Sequence, residues 1–186
     1  MPNHDSLLAA AERVASLLAN RGIDAVVIGA AALAAHRYVR HTEDIDLGVN
    51  VAIRELDAVA AGLRTAGYEV HVREPDGQDP LGGVIDVIGP TGLVQIVNFG
   101  ERFPAVIESG HAKATLRVRS GASLRIIPLA HLVALKLYAG GMKSKADIVE
   151  LLRRNPDADR AEIRMLCRRH RLSGLEPLIR EADTTG

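Results

Sequence analysis

The stretch "RHTEDIDLGV", residues 40–49, sets two carboxylates two positions apart, Asp44 and Asp46, inside what otherwise reads as an apolar strand. Side chains alternate between the faces of a strand, so Asp44 and Asp46 share one face and Ile45 and Leu47 the other, with the acids ~7 Å apart at twice the rise per residue. Like charges held that close on a rigid strand repel, and a cation beside them relieves the repulsion. The same alternation also describes a half-exposed strand with a polar outer face. The choice between the two depends on the rest of the chain.

A further acid stands in a similar setting, Asp86 in "GGVIDVIGP". Flanked by Val and Ile, it is costly to desolvate without a partner. It can join Asp44 and Asp46 if their strands are neighbours, and otherwise reads as an edge-strand acid facing water. Carboxylates alone, without His or Cys, suit Mg²⁺ or Mn²⁺ better than structural zinc. Mg²⁺ held by few carboxylates fills its octahedron with water and substrate phosphates, which points to phosphoryl or nucleotidyl transfer. "VVIGAAALAAHR" offers a place for a phosphate, because a strand ends at Gly29 and a helix begins at once, exposing backbone N–H groups. Neither the Walker A pattern nor G-x-G-x-x-G occurs, which sets aside the P-loop and Rossmann readings.

Around these motifs the pattern predicts a helix from about Asp5 to Gly22, a strand at "DAVVIG", a helix over "AALAAHRYV", the acidic strand, a helix over "AIRELDAVAAGLRTAG" and a strand at "YEVHVR". "EPDGQDPLGG", residues 74–83, reads as a long loop. "VIDVI" and "LVQIVNF" around "GPTG" read as a hairpin, and "ATLRV" and "LRIIP" as a second. From Pro128 the pattern is helical, with breaks at "GGMKS", "NPD" and "LSG". The expectation is an α/β fold: a mixed β-sheet flanked by helices over residues 1–127, followed by a C-terminal helical segment over 128–186 that packs on it.

Hydrophobic residues make up 47% of the 186-residue chain and charged residues 25%, as in ordinary globular proteins. Lys plus Arg equals Asp plus Glu, at 23 each, so the whole chain is not an obvious polyanion binder. The single cysteine, Cys167, rules out an internal disulfide framework and reads as a core residue. No signal-peptide pattern is recognised and no apolar run reaches bilayer length, so a cytoplasmic setting without membrane contact is expected.

"IGAAALAAHRYVRHTEDIDLGV" resembles the signature of the polymerase-β-like nucleotidyltransferase superfamily, and most closely its AbiEii-like branch of toxin–antitoxin nucleotidyltransferases. The matching positions are Gly29, Ala30, Ala32, Leu33, His36, Arg40, Thr42, Asp44, Ile45, Asp46 and Leu47. Further on, "VIDVI" and "PLAHLVALKLYAGGMKSKADIVELL" are also similar to that branch, so the likeness covers residues 25 to 152. Ala30 departs from the Gly or Ser of the pattern and removes a hydroxyl from the expected triphosphate grip. The resemblance implies a nucleotidyltransferase fold and transfer of a nucleoside monophosphate from an NTP to an acceptor hydroxyl, with release of pyrophosphate. It implies RNA, at a transfer RNA end, as the first acceptor, with a protein or small molecule, as in other members of the superfamily, as the alternative, and a toxin or antitoxin as protein partner. The alternative is a catalytically silent nucleotidyltransferase-fold binding module or antitoxin.

On this reading Asp44, Asp46 and Asp86 bind Mg²⁺ or Mn²⁺, Asp86 helps deprotonate the acceptor, and Gly29 and Ala30 hold phosphate oxygens. Lys136 falls on an apolar helix stripe with Leu129, Leu132 and Val133, so it needs an anion: triphosphate, Asp147, or water reached by snorkelling. Asp147, three residues after Ser144, is either an N-terminal cap or part of the nucleotide site. Arg40 and Thr42 precede the acids, and Arg40 can pair with nucleotide or with the acids themselves. His36 and His41 read as structural or surface residues. Arg160, Arg164, Arg168 and Arg171 recur at helical spacing and form a stripe suited to a phosphate backbone, or else a solvated helix face.

Overall fold

A computed structural model describes residues 4–75 and 80–184. Strands β1 (Ala25–Val27), β2 (Asp44–Val49), β3 (Glu69–Arg73), β4 (Val84–Gly89) and β5 (Gly92–Asn98) form one sheet in the order β1-β2-β5-β4-β3. The β2–β5 pair is parallel and every other pair antiparallel, so the sheet is mixed, as the combination of hairpin and helical connections predicts. β4 and β5 are the expected hairpin. The second hairpin shrinks to a bridge between Arg117 and Arg125, and its outgoing arm runs beside β1 through Ile126.

One face of the sheet carries Ile45, Leu47, Ile85 and Ile96, all essentially inaccessible. The helices α1 (His4–Ala19) and α3 (Leu56–Thr65) cover it. Each of these helices is apolar on one side, and Ala11, Val14 and Leu18 of α1 are buried at helical spacing. The short helix α2 (Gly29–Ala35) packs beside β2. It stops short of the expected "AHRYV" because Arg37 takes a left-handed conformation at φ 66° and turns the chain away. His36 Nε2 bonds to the Ile127 carbonyl at 2.8 Å, and the Asn155 amide donates to the His36 carbonyl at 2.8 Å.

Helix α4 (Pro104–Lys113) was not anticipated from sequence. Its proline fits the first turn, where no backbone N–H is needed. Helices α5 (Leu129–Ala139), α6 (Gly141–Arg154), α7 (Arg160–Arg169) and α8 (Leu175–Thr184) complete the chain, with breaks where "GG", "NPD" and "LSG" predict them. The middle of the 74–83 loop lies outside the described residues. Asn98, fully buried, ties the sheet's end together: its amide donates to the Val51 and Gly82 carbonyls, and its oxygen accepts from the Val51 and Gly100 N–H groups. Among the described residues no helix is long and apolar enough to cross a membrane.

Candidate active site

Asp44 and Asp46 are half-buried on the face of β2 opposite the core, while Ile45 and Leu47 point inward, as the alternation predicts. The chain leaves β1, its Ile28 N–H donates to the Asp46 carbonyl at 2.9 Å, and the next residue is Gly29 at φ +62°. Gly29 is required here on two counts. The left-handed backbone disfavours a side chain, and a Cβ would overlap the Asp46 carboxylate, standing 2.6 Å from its Cγ. The Asp46 carboxylate therefore lies directly against the backbone at the start of α2, whose first N–H groups have no partner within the helix.

Burial and the neighbouring Asp44 push the Asp46 carboxyl up to about 6, against the pull of the Lys136 and Lys143 charges. The Thr42 hydroxyl donates to the Asp44 carboxylate and, at 3.3 Å, to the Asp44 carbonyl, fixing that acid at the head of its strand. Lys143 was not singled out from sequence. It is exposed in the first turn of α6, where nothing in its immediate neighbours distinguishes it from other surface lysines.

Asp147 is the ion-pair partner of Lys136. Helix α6 begins at Gly141, so Asp147 lies inside the helix rather than at its cap, and is 3% exposed. Lys136 Nζ donates to its Oδ2 at 2.7 Å, and Arg40 Nη1 donates to Oδ1 and Oδ2 at 2.8 and 2.9 Å. Burial alone would raise its pKa, but the bonds and charges of Lys136 and Arg40 outweigh this and hold it below the usual carboxylate range. One buried carboxylate thus gathers a cation from α5 and a cation from the α2–β2 linker, leaving a net positive group near Asp46.

The third acid is placed differently from the expectation. β5 separates β2 from β4, and Gln95 stands in register with both Asp46 and Asp86. The proposed convergence of Asp44, Asp46 and Asp86 required neighbouring strands, and that condition is not met. Two interstrand spacings put the Asp46 and Asp86 backbones roughly 10 Å apart. Asp86 is engaged elsewhere: Arg73 Nε donates to Oδ2 at 3.0 Å and Nη2 to Oδ1 at 2.9 Å, and Gln95 Nε2 donates to Oδ1 at 2.7 Å. Burial opposes its ionisation, yet the Arg73 and Gln95 bonds and the Arg73 charge prevail and lower its pKa. No cluster of three or more His, Cys, Asp or Glu able to hold a metal forms among the described residues. Asp44 and Asp46 by themselves fit a divalent cation that completes its shell with substrate phosphates and water.

The remaining candidates fall outside this site. His41 is exposed, 3.6 Å from Glu43. Cys167 is buried, and burial pushes its thiol up to about 11. In the arginine stripe, Arg164 is bound by Glu176 at 2.8 and 3.1 Å, and Arg160 donates to the Leu152 carbonyl at 2.9 Å and lies 3.7 Å from Asp183. A cavity of about 840 Å³ lies between α1 and the 119–123 turn and is lined by none of these acids.

No family model matches the chain, and no curated protein sequence matches it. Solved structures do. The antibiotic-resistance factor ANT(2'')-Ia matches with a TM-score of 0.53 at 14% identity, over 92% of this chain and 93% of that one. An antigenic nucleotidyltransferase-like protein from Paracoccidioides brasiliensis matches with a TM-score of 0.53 at 19% identity, over 96% and 94%. The chain has the nucleotidyltransferase fold, an α/β fold with a mixed five-stranded sheet and C-terminal helices.

Proposed function

We propose that the protein is a nucleotidyltransferase that moves a nucleoside monophosphate from an NTP to an acceptor hydroxyl and releases pyrophosphate. The observation that carries this reading is the Asp46 carboxylate pressed against the side-chain-free backbone of Gly29, beside Asp44 and within the field of Lys136 and Lys143. In that arrangement a phosphate can approach backbone N–H groups while the two acids take its cation. A bound Mg²⁺ or Mn²⁺ supplies neutralisation of phosphate charge and a template for the nucleotide at Asp44 and Asp46. Thr42 keeps Asp44 oriented, Gly29 and Ala30 offer N–H groups to phosphate oxygens, and Lys136, held with Arg40 by Asp147, offsets charge on the departing pyrophosphate. The acceptor oxygen bonds to the α-phosphorus, the bond to the β-phosphate oxygen breaks, and the hydroxyl proton passes to water.

The narrower assignments, to the AbiEii-like branch, a toxin–antitoxin partner, a transfer RNA acceptor and a cytoplasmic setting, rest on the sequence motif. The arginine stripe supports the RNA acceptor less than its spacing suggested, since Arg160 and Arg164 are already paired. Purified protein with labelled nucleotides and Mg²⁺ or Mn²⁺ should transfer label, and Asp44→Asn should stop it. Nucleotide binding without transfer to any acceptor would favour the silent binding module.

A further inference from the structure

Strand β3 closes one side of the sheet: it pairs with β4 and with no other strand among the described residues. Val70 and Val72 turn inward to the core, and Glu69, His71 and Arg73 lie on the face that carries Asp86. The open edge is marked by the Val70 carbonyl, which accepts from Arg64 Nη2 of α3 at 3.0 Å. In an antiparallel ladder the N–H and C=O of one residue point the same way, so Val70 and Val72 present the donors and acceptors of this edge. Such an edge is a template for another strand, and charges placed along it commonly repel one.

The charges on β3 are instead self-complementary. Laid antiparallel on a copy of itself about His71, "EVHVR" sets Glu69 against Arg73 at both ends and Val70 against Val72 between them. That register also makes the two valine pairs the hydrogen-bonded ones, as the direction of the Val70 carbonyl requires. A shift of two residues would set His71 against Glu69 or against Arg73 and leave the strand ends overhanging. Helix α3 repeats the pattern above this edge. Gly62 faces α1, where a Cβ would stand 2.7 Å from Arg21 Nη1, and Arg64 faces the β3 edge. Asp57, seven residues before Arg64, shares its side of the helix, and both are exposed. An antiparallel copy of α3 brings Asp57 opposite Arg64.

We infer that two copies of this chain join edge to edge through β3, in an isologous dimer whose two-fold axis passes between the two His71 residues. Arg64 gives up the Val70 carbonyl to the Val72 N–H of the second copy and turns to Asp57 of that copy. Pairing in this sense keeps the faces of the sheet, so both copies present Asp44 and Asp46 on the same side. Seven interstrand spacings separate the two β2 strands, roughly 34 Å, so each copy keeps its own site. The dimer does not depend on the nucleotidyl-transfer reading.

A short ladder with two helix flanks falls at the small end of stable interfaces, so dissociation constants on the order of 10 µM are expected. Sedimentation velocity of the full chain from about 1 to about 300 µM should show a monomer passing into a dimer. Val72→Pro removes an edge donor and sets a ring against the incoming strand without taking a bond from β4. Asp57→Arg and Arg64→Glu each oppose like charges at two symmetry-related points. Each of the three variants should weaken the dimer by at least about tenfold. An equimolar mixture of Asp57→Arg and Arg64→Glu chains should recover the wild-type association to within about threefold, because every reversed charge then meets its opposite. If circular dichroism shows Val72→Pro unfolded, the two reversals decide alone. A wild type that stays monomeric at the highest concentration, a dimer that the single reversals leave intact, or a mixture no tighter than its components would overturn the inference.

Discussion

Asp46 stands in β2 between Ile45 and Leu47, and Asp86 stands in β4 between Ile85 and Val87, so their local sequences are nearly interchangeable. Their surroundings drive them in opposite directions. Burial and Asp44 raise Asp46 to about 6, whereas the bonds from Arg73 and Gln95 overcome burial and lower Asp86. The fold matches the charge of Asp86 with a direct ion pair and leaves that of Asp46 only partly offset by Lys136 and Lys143, the condition that the proposed cation site requires. The contrast distinguishes the proposed ligand site from an ion-paired acid, which hydropathy patterning alone does not do.

The largest effect belongs to Asp46→Asn, which keeps the shape and removes the charge. Nucleotidyl transfer should fall by on the order of a thousandfold, while the metal-free protein gains stability. For an acid with a raised pKa in the fold the stability penalty is absent below the ordinary carboxylate pKa, grows as the pH rises and levels off above the folded value. The distance from 3.8 to about 6 corresponds to at most about 3 kcal/mol, and remaining solvent access brings the expected gain to about 2 kcal/mol at pH 8, with none near pH 3. Urea unfolding of both proteins without metal at the two pH values measures it. A variant that is destabilised at pH 8 would mean that Asp46 is compensated as Asp86 is, and the contrast would collapse.

Asp147 is a more buried version of the Asp86 arrangement, with two cations on one carboxylate. Asp147→Asn leaves Lys136 and Arg40 facing each other with no anion, at a cost of about 3 kcal/mol, the lower end for a broken buried pair because Arg40 can turn toward water. Affinity for a non-hydrolysable triphosphate should change at the same time, since both cations lose their fixed positions. Unfolding and calorimetry on the same variant separate the two effects. Unaltered stability would show that the helical segment is held on the α/β part by its apolar contacts alone.

The arrangement of the paired acids was legible because it lies within one short stretch. The period-two alternation of "DIDL" placed both acids on one face, and the glycine at the strand end lies against Asp46 as the backbone approach of the proposed anion site requires. Lys136 was legible as an inward cation from its helical stripe, and of the anions considered for it the structure shows Asp147. What the sequence withheld is what depends on strand order. Asp86 and Asp46 share a face as expected, but nothing in "VIDVI" says that β5 inserts between them, because a hairpin can add to a sheet by either strand. Gln95 escaped notice for the same reason: a lone glutamine in an apolar strand carries no signal until its register with two acids is known. α4 was missed because "PAVIESGHAK" has a weak apolar stripe, and its burial comes from β1, β2 and α5 together.

The smallest effect is the mirror test on Asp86. Asp86→Asn removes the carboxylate charge that Arg73 pairs with but leaves an amide oxygen that can still accept from Gln95, and the Arg73 side chain is 56% exposed, so solvent and salt screen the pair. The expected cost is about 1 kcal/mol at pH 7, opposite in sign to Asp46→Asn. For an acid with a lowered pKa the contribution is present above the ordinary carboxylate pKa and disappears as the pH falls through the folded value, so wild type and variant should converge in acid. High salt should bring them together at pH 7 as well, whereas the more buried Asp46 should respond less. A stabilising Asp86→Asn, or one that abolishes nucleotide binding, would place Asp86 with Asp44 and Asp46 and restore a three-carboxylate metal site.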